Sequence, residues 1–171
     1  MSEYDYLFRV LLIGDSSTGK EELCSQHCSD YFMEDLKHTI GVDFFSKTIN
    51  FNNKKAKLNI WDFGEEERFK FLLSQYCKSQ DCVIIMYDIA NSNTLNHLPE
   101  WTRIIRENVG DIPIILVGNK INLDKPRMVS RDESVEIAQK HKLFWHTEIS
   151  TKTGENVEEL FEFVIKCIFN H

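Results

Sequence analysis

Residues 14–20 follow the pattern glycine, four residues, glycine, lysine, between an apolar run and a helical stretch. Glycines let a backbone wrap closely around phosphate oxygens, and N–H groups at a helix start supply positive potential. The lysine adds a mobile point charge that reaches the outer phosphates. The segment therefore indicates a phosphate-binding loop; the alternative is a strand-to-helix turn that uses glycine only for geometry. The candidate residues are Gly14, Asp15, Ser16, Ser17, Thr18, Gly19 and Lys20.

The position after the loop lysine departs from the usual pattern. Loops of this type place serine or threonine there, and its hydroxyl binds Mg²⁺, but here the residue is Glu21. A carboxylate is a good magnesium ligand, yet it is longer and adds negative charge beside the phosphates. We expect Glu21 to give a weakened or rearranged magnesium site, and the adjacent Glu22 to border the nucleotide.

The elements that must position this loop alternate along the chain. Strands are predicted over residues 7–13, 44–51, 55–62, 82–87, 112–117 and 143–148, and helices over residues 20–31 and 93–108, from 130 and from 156. Asn52 and Asn53 indicate a hairpin, and Ser130 with Glu133 fits a capping box. Strands alternating with helices predict an α/β fold with a mostly parallel sheet covered on both faces. We expect one domain over residues 1–171.

Bulk composition narrows the classes of function. The net charge of −7 disfavours nucleic-acid binding and attachment to anionic membranes through a basic patch. Five cysteines, an odd number, without a signal peptide indicate reduced thiols in the cytoplasm. Cys24 and Cys28 are interpreted as buried helical thiols rather than a metal site, because no second pair has suitable spacing. Cys167 lies one place too early for a prenylation box.

Four later segments join the phosphate loop into a family pattern. Residues 38–44 (HTIGVDF) resemble the first switch segment of Rab proteins, and residues 60–62 with 67–69 resemble their second switch. Asn119 and Lys120 after an apolar strand resemble the guanine-recognition motif, and residues 150–152 resemble the second base-binding loop. From about residue 6 to residue 169, the chain thus resembles the Ras-like small GTPase superfamily, and its Rab branch most closely.

This resemblance implies a six-stranded, mostly parallel sheet with five helices, a monomer, and the ligands GTP, GDP and Mg²⁺. It implies that Thr39 binds Mg²⁺ and senses the γ-phosphate, that Asp62 holds Mg²⁺ through water, and that Phe32 lies against the base. The implied base-binding residues are Asn119, Lys120, Asn122, Ser150, Thr151 and Lys152. Effectors and regulators would bind exposed switch residues, namely Ile40, Gly41, Phe44, Trp61 and Phe69. The alternative for the three aromatic residues is ordinary packing between the switches and the sheet. Membrane attachment would need a lipidated tail after the last helix, as on peripheral endomembrane proteins. The sequence stops at that helix, which fits a longer protein with a tail or second domain as well as a variant without one.

Further departures affect the γ-phosphate, the attacking water and the base. Glu65 replaces a glycine whose N–H approaches the γ-phosphate, and Glu66 replaces the glutamine that orients the water. Asn122 replaces an aspartate that accepts two hydrogen bonds from guanine, at a typical cost of about 1.5–3 kcal/mol. An amide suits the 2-carbonyl of xanthine instead, and Asp124 is expected to help only if its loop rearranges. The candidate catalytic residues are Lys20 and Glu66.

Three functions remain open on these residues. The first is a switch that binds guanine nucleotides, with reduced guanine selectivity and slow intrinsic hydrolysis. The second is a pseudo-GTPase that serves as a protein-binding scaffold. The third, an unrelated phosphate-loop kinase or ATPase, leaves residues 38–44 unexplained. We interpret the chain as a Rab-like switch with impaired catalysis.

Overall fold

The computed structural model describes residues 3–30, 42–63, 73–122 and 124–171. The strands are β1 Tyr6–Gly14, β2 Ser29–Asp30, β3 Asp43–Phe51, β4 Lys54–Asp62, β5 Cys82–Asp88, β6 Ile114–Asn119 and β7 Trp145–Glu148. The α-helices are α1 Lys20–His27, α2 Leu98–Val109, α3 Arg131–Lys140 and α4 Val157–Phe169. Residues 73–76 are also helical. Short 3-10 helices cover Ser16–Thr18, Cys77–Ser79 and Ser92–Leu95.

One sheet holds all seven of these strands, in the order β2-β3-β4-β1-β5-β6-β7. β1 lies parallel to β4 and β5, and β6 lies parallel to β5 and β7. β3 runs antiparallel to β4 through the predicted hairpin, where Asn52 and Asn53 have φ of 50° and 63°. The predicted mostly parallel α/β sheet is confirmed, with the two-residue strand β2 in addition.

Helices cover both faces of the sheet. Leu23 and Cys24 of α1 pack with the apolar side of α4 on one face, while α2 and Ala138 of α3 pack on the other. Every residue of β5 and of β6 is buried, as continuous apolar runs predict for strands covered on both faces. The carboxyl ends of β1, β5 and β6 therefore meet at one edge of the sheet, where α/β folds bind ligands.

Several predicted boundaries are wrong. The helix predicted over residues 20–31 ends at His27, because Cys28 is extended and the chain then pairs with β3. The helix predicted over 93–108 is a 3-10 helix followed by α2, which begins at Leu98 with Pro99 in its first turn. β6 and β7 begin later than predicted, at Ile114 and Trp145. The capping box of Ser130 and Glu133 is confirmed.

The cysteines of the chain are free thiols. Cys24 is buried in α1, and Cys28 is half-buried just after that helix. The pKa of the Cys24 thiol lies well above its ordinary value. The main cause is its hydrogen bond with Cys28, and the second cause is burial. Cys24 is therefore an uncharged core group. Within the described ranges, no helix has the length and apolar character needed to cross a bilayer.

Candidate nucleotide-binding site

The phosphate loop connects the end of β1 to the start of α1, as the sequence predicts. Gly19 has φ of 94°, a left-handed conformation that favours glycine. A Cβ on Gly14 would lie 2.6 Å from the carbonyl oxygen of Met86, so β5 leaves no room there for a side chain. The Thr18 hydroxyl donates to the carbonyl of Asp15 at 2.7 Å and stabilises the turn. The loop thus turns tightly at a helix start, where backbone N–H groups and the helix dipole suit a phosphate.

Lys20 lies inside this loop with only 5% of its surface exposed. Its ammonium donates to the carbonyl of Phe63 and lies 3.4 Å from a carboxylate oxygen of Asp62. Burial raises the pKa of Asp62 to about 6, although Lys20 acts in the opposite direction, and the nearby charges of Asp43 and Glu21 raise it further. The lysine charge is therefore held between the phosphate loop and the end of β4.

Asn119 fastens the loop after β6 to the phosphate loop. Its side chain is completely buried, and its Nδ2 donates to the carbonyl of Thr18 at 2.8 Å and to the Thr151 hydroxyl at 3.1 Å. Its Oδ1 accepts from the backbone N–H of Thr151 at 3.1 Å. One side chain therefore joins the three loops that the sequence assigns to phosphate and base.

Lys120 makes a second connection between the same loops. Its ammonium donates to the carbonyl of Ser17 at 2.8 Å and pairs with Asp88 at 2.9 Å. Asp88 lies outside the sequence motifs, although it ends β5 in the way that Asn119 ends β6. A polar residue at the carboxyl end of a buried parallel strand is the feature of the sequence that would indicate Asp88 as a site residue.

A cavity of about 220 Å³ lies beside these connections. The lining residues are Gly19, Glu22, Asp88, Ala90, Lys120, Asn122, Asp124, Lys125, Thr151 and Lys152. Most of the predicted base-binding side chains therefore face one space. The Glu22 carboxylate accepts from the Thr151 hydroxyl at 2.7 Å, a contact between α1 and a distant loop that sequence spacing does not reveal.

Asp124 also belongs to this cavity. Its Oδ2 accepts from Asn122 Nδ2 at 3.2 Å and from Lys152 Nζ at 2.9 Å. The expectation that Asp124 helps to bind the base only after a rearrangement of its loop stays a prediction. The Ser150 hydroxyl donates to Asn122 Oδ1 at 2.9 Å. Asn122 and Asp124 therefore form a hydrogen-bonded pair on the cavity wall.

Other predicted residues lie outside the described part of the chain. These are Phe32, Thr39, Ile40, Gly41, Glu65, Glu66 and Phe69. Their assigned roles stay predictions.

The expectation that Phe44 and Trp61 are exposed is wrong. Their exposed fractions are 5% and 9%. They face each other across the β3–β4 ladder with ring centroids 5.0 Å apart, and Tyr76 packs on Trp61 at 5.7 Å. The two rings therefore support the region between the switch segments from inside.

The carboxylates beside Lys20 would supply some, but not all, of the ligands of a divalent cation. The buried Asp62 carboxylate lies near the charges of Glu21 and Asp43, which favours a cation with oxygen ligands. Among the described residues, no three His, Cys, Asp or Glu side chains cluster as metal ligands. A magnesium ion at this place would thus need oxygen atoms beyond these carboxylates, as from a phosphate.

The fold and site define a phosphate-loop nucleotide-binding protein, and comparison with known proteins gives its family. The model of the Ras family matches residues 9–170, so the chain belongs to the Ras family. Ras-related protein Rab-1 of Theileria parva is 38% identical over 98% of this chain and 77% of its own length. Ras-related protein Rab-11A of Dictyostelium discoideum is 38% identical over 98% and 78%. Human Ras-related protein Rab-30 is 38% identical over 94% and 79%.

These relatives place the chain in the Rab branch of that family. The branch consists of small GTP-binding switches of vesicle trafficking, which generally use GTP, GDP and Mg²⁺ and bind effectors and regulators.

Proposed function

We propose that this protein binds GDP and GTP with Mg²⁺, acts as a Rab-like switch, and hydrolyses GTP slowly on its own. The observation that carries nucleotide binding is the buried side chain of Asn119, which joins the phosphate loop at Thr18 to the base loop at Thr151. The direct connection of these loops next to a 220 Å³ cavity suits a base on one side and phosphates on the other.

The phosphates would bind the N–H groups of residues 14–20 and the ammonium of Lys20. Lys20 would then exchange its contacts with Asp62 and Phe63 for phosphate oxygens. Magnesium would be held by Glu21, Asp62 and Thr39, and it would neutralise charge on the outer phosphates. Glu21 is exposed at the start of α1, which leaves its carboxylate free to turn toward such a cation.

Slow hydrolysis follows from the types of residues 65 and 66. The ionised Glu66 carboxylate accepts a hydrogen bond from water but cannot donate one to the γ-phosphate. It also adds negative charge where negative charge develops in the reaction. Glu65 brings a second carboxylate in place of a glycine. We therefore expect the chain to retain the bound GTP form longer than a relative with glycine and glutamine at these positions.

Two measurements test the proposal. The first is identification of the nucleotide released from the purified protein on denaturation, followed by titration with GDP and GTP, with and without Mg²⁺. The second is single-turnover GTP hydrolysis by the wild type and by the double variant Glu65→Gly/Glu66→Gln. We expect the double variant to be at least about tenfold faster, which corresponds to about 1.4 kcal/mol of barrier.

The matched control is Glu136→Gln, which removes one exposed carboxylate from α3. It should leave the hydrolysis rate unchanged. Equal rates for wild type and double variant would contradict impaired catalysis. A protein without bound nucleotide and without measurable affinity would contradict the switch itself and favour the scaffold function.

Partner recognition is proposed for the same region of the chain. Effectors and regulators would contact residues 38–41 and 64–69, and the packed pair of Phe44 and Trp61 would support that surface. Phe44→Ala should then weaken effector binding indirectly, together with a loss of stability.

A further inference from the structure

We infer that Asp124 reads the base in this protein: its carboxylate, together with the Asn122 carbonyl, accepts the hydrogen bonds of the guanine N1–H and 2-amino groups. This inference rests on the proposed function, because it specifies how the same cavity selects its nucleotide. It assigns the missing carboxylate of the base-recognition motif to a residue two positions later in the chain.

The orientation of the Asn122 amide is the first step. An ionised carboxylate only accepts hydrogen bonds, so the Asn122 atom that faces Asp124 must be the amide nitrogen. The amide oxygen then faces the Ser150 hydroxyl, which donates to it at 2.9 Å. A carbonyl oxygen has two lone pairs, so Asn122 Oδ1 retains capacity for one further donor.

The position of Asp124 is the second step. Asp124 lines the cavity, and two donors on different segments, Asn122 and Lys152, both reach its Oδ2. Within the described part of the chain, no donor reaches its other carboxylate oxygen. The hydrogen bond from Lys152 lowers the pKa of Asp124, so this group is a carboxylate at neutral pH.

Two other acidic residues line the cavity. Asp88 pairs with the Lys120 ammonium, and Glu22 accepts from the Thr151 hydroxyl. All three carboxylates connect loops, since Asp124 pairs with Lys152, but Asp124 keeps the accepting capacity of its second oxygen. Asp124 is also 68% exposed, and a base that covers it would exchange water for its own donors.

The chemistry selects among purines. Guanine offers two adjacent donors, hypoxanthine lacks the 2-amino group, and xanthine has a carbonyl oxygen there. The Asp124 carboxylate, together with the Asn122 carbonyl, therefore accepts two hydrogen bonds from guanine and one from hypoxanthine, and it repels the 2-carbonyl oxygen of xanthine. Asn122 also directs an amide donor to Asp124 rather than toward the base. The pair of Asn122 and Asp124 therefore restores the guanine selectivity that Asn122 alone would lose.

The experiment measures dissociation constants of GDP, IDP and XDP for the wild type and for Asp124→Asn, an isosteric change at an exposed position. We expect the wild type to prefer GDP to both other nucleotides. Asp124→Asn should weaken GDP binding by about tenfold or more, weaken IDP binding less, and strengthen XDP binding. Asp111→Asn, which removes an exposed carboxylate that does not line the cavity, should change none of the three constants.

The outcomes separate the two proposals. If Asp124→Asn changes the GDP constant by less than twofold, or if the wild type prefers XDP, the role of Asp124 is wrong and the nucleotide switch stands. If the wild type binds none of the three nucleotides, both are wrong. A thermal melt of each variant checks that the fold is retained.

Discussion

The backbone of Gly19 lies directly against the side-chain amide of Asn119: a Cβ on Gly19 would be 2.3 Å from Asn119 Nδ2. This separation is far below any real contact of a Cβ, and Asn119 is fixed by hydrogen bonds to Thr18 and Thr151. The second glycine of the phosphate loop is therefore required for the close approach of the base loop, in addition to its own positive φ.

The first prediction concerns Gly19→Ala. The new methyl group displaces the Asn119 amide and breaks its buried hydrogen bonds, each worth about 1 kcal/mol. We expect GDP affinity to fall by at least about tenfold, or about 1.4 kcal/mol. Isothermal titration of the variant with GDP measures this loss.

Gly110→Ala is the control for backbone strain. Gly110 also has a positive φ, 83°, but a Cβ there would meet nothing within 4 Å. This variant should lose stability and retain its GDP affinity. Equal affinity losses in the two variants would show that strain alone, without the contact to Asn119, explains the effect.

The second prediction concerns the Thr151 hydroxyl, which donates to Glu22 at 2.7 Å and accepts from Asn119 at 3.1 Å. Thr151→Val keeps the shape but leaves both partners without this hydrogen bond. We expect a loss of about 1–3 kcal/mol in unfolding free energy, together with weaker nucleotide binding. Urea denaturation and GDP titration report the two effects.

Thr102→Val is the matched control for this change. Among the described residues, the buried Thr102 hydroxyl bonds only to carbonyls of its own helix, those of Leu98 and Pro99. Thr102→Val should therefore lower the unfolding free energy and leave GDP affinity unchanged. If Thr151→Val likewise leaves GDP affinity unchanged, the connection between α1 and the base loop does not support binding.

The third prediction concerns the pH dependence of stability. His146 Nε2 lies 3.0 Å from the Tyr87 hydroxyl, and burial lowers the pKa of His146 below its ordinary value of 6.5. Arg131 and Arg127 add to this lowering, whereas Glu148 opposes it. The unfolded chain therefore takes up the proton first, and the stability that neutral His146 contributes is lost as pH falls below about 6.5.

His146→Gln should remove this part of the pH dependence. Urea unfolding at pH 7.5 and pH 5.5 should show a smaller loss for the variant than for the wild type. His171→Gln, at an exposed histidine, serves as control and should follow the wild type. A variant that loses as much stability as the wild type between these pH values would contradict the assignment to His146.

The parts of this structure that the sequence predicted are those with a local cause. A glycine–lysine loop, an Asn–Asn hairpin and a capping box at Ser130 each depend on residues a few positions apart. Continuous apolar runs identified the buried strands for the same reason. The position of Asn119 at the carboxyl end of β6 followed from the family pattern.

The parts that the sequence did not predict depend on register and on contacts between distant segments. Phe44 is buried because the β3–β4 register places it opposite Trp61, and this register becomes clear only when the ladder is known. The contact of Asp124 with Lys152 joins two loops 28 positions apart. Sequence spacing contains no information on such a contact, so the position of Asp124 on the cavity wall is not evident from the sequence.

The last prediction concerns Arg127 and Glu148, which connect the segment after the base-recognition motif to β7. The guanidinium donates to both carboxylate oxygens, at 3.0 Å and 2.9 Å, and it also donates to the carbonyl of Val129. The hydrogen bond to Glu148 raises the pKa of Arg127. A lysine keeps the charge but cannot form this two-point contact.

We expect Arg127→Lys to lower the unfolding free energy by about 0.5–1.5 kcal/mol, because the pair is only partly exposed. A double-mutant cycle of Arg127→Lys with Glu148→Gln measures the coupling that belongs to the two-point contact, since a lysine keeps its charge beside Glu148. Arg103→Lys is the comparison, because Arg103 pairs with Glu107 on the surface of α2 and should lose almost nothing. A coupling energy near zero between Arg127 and Glu148 would mean that the fold holds the segment without this contact.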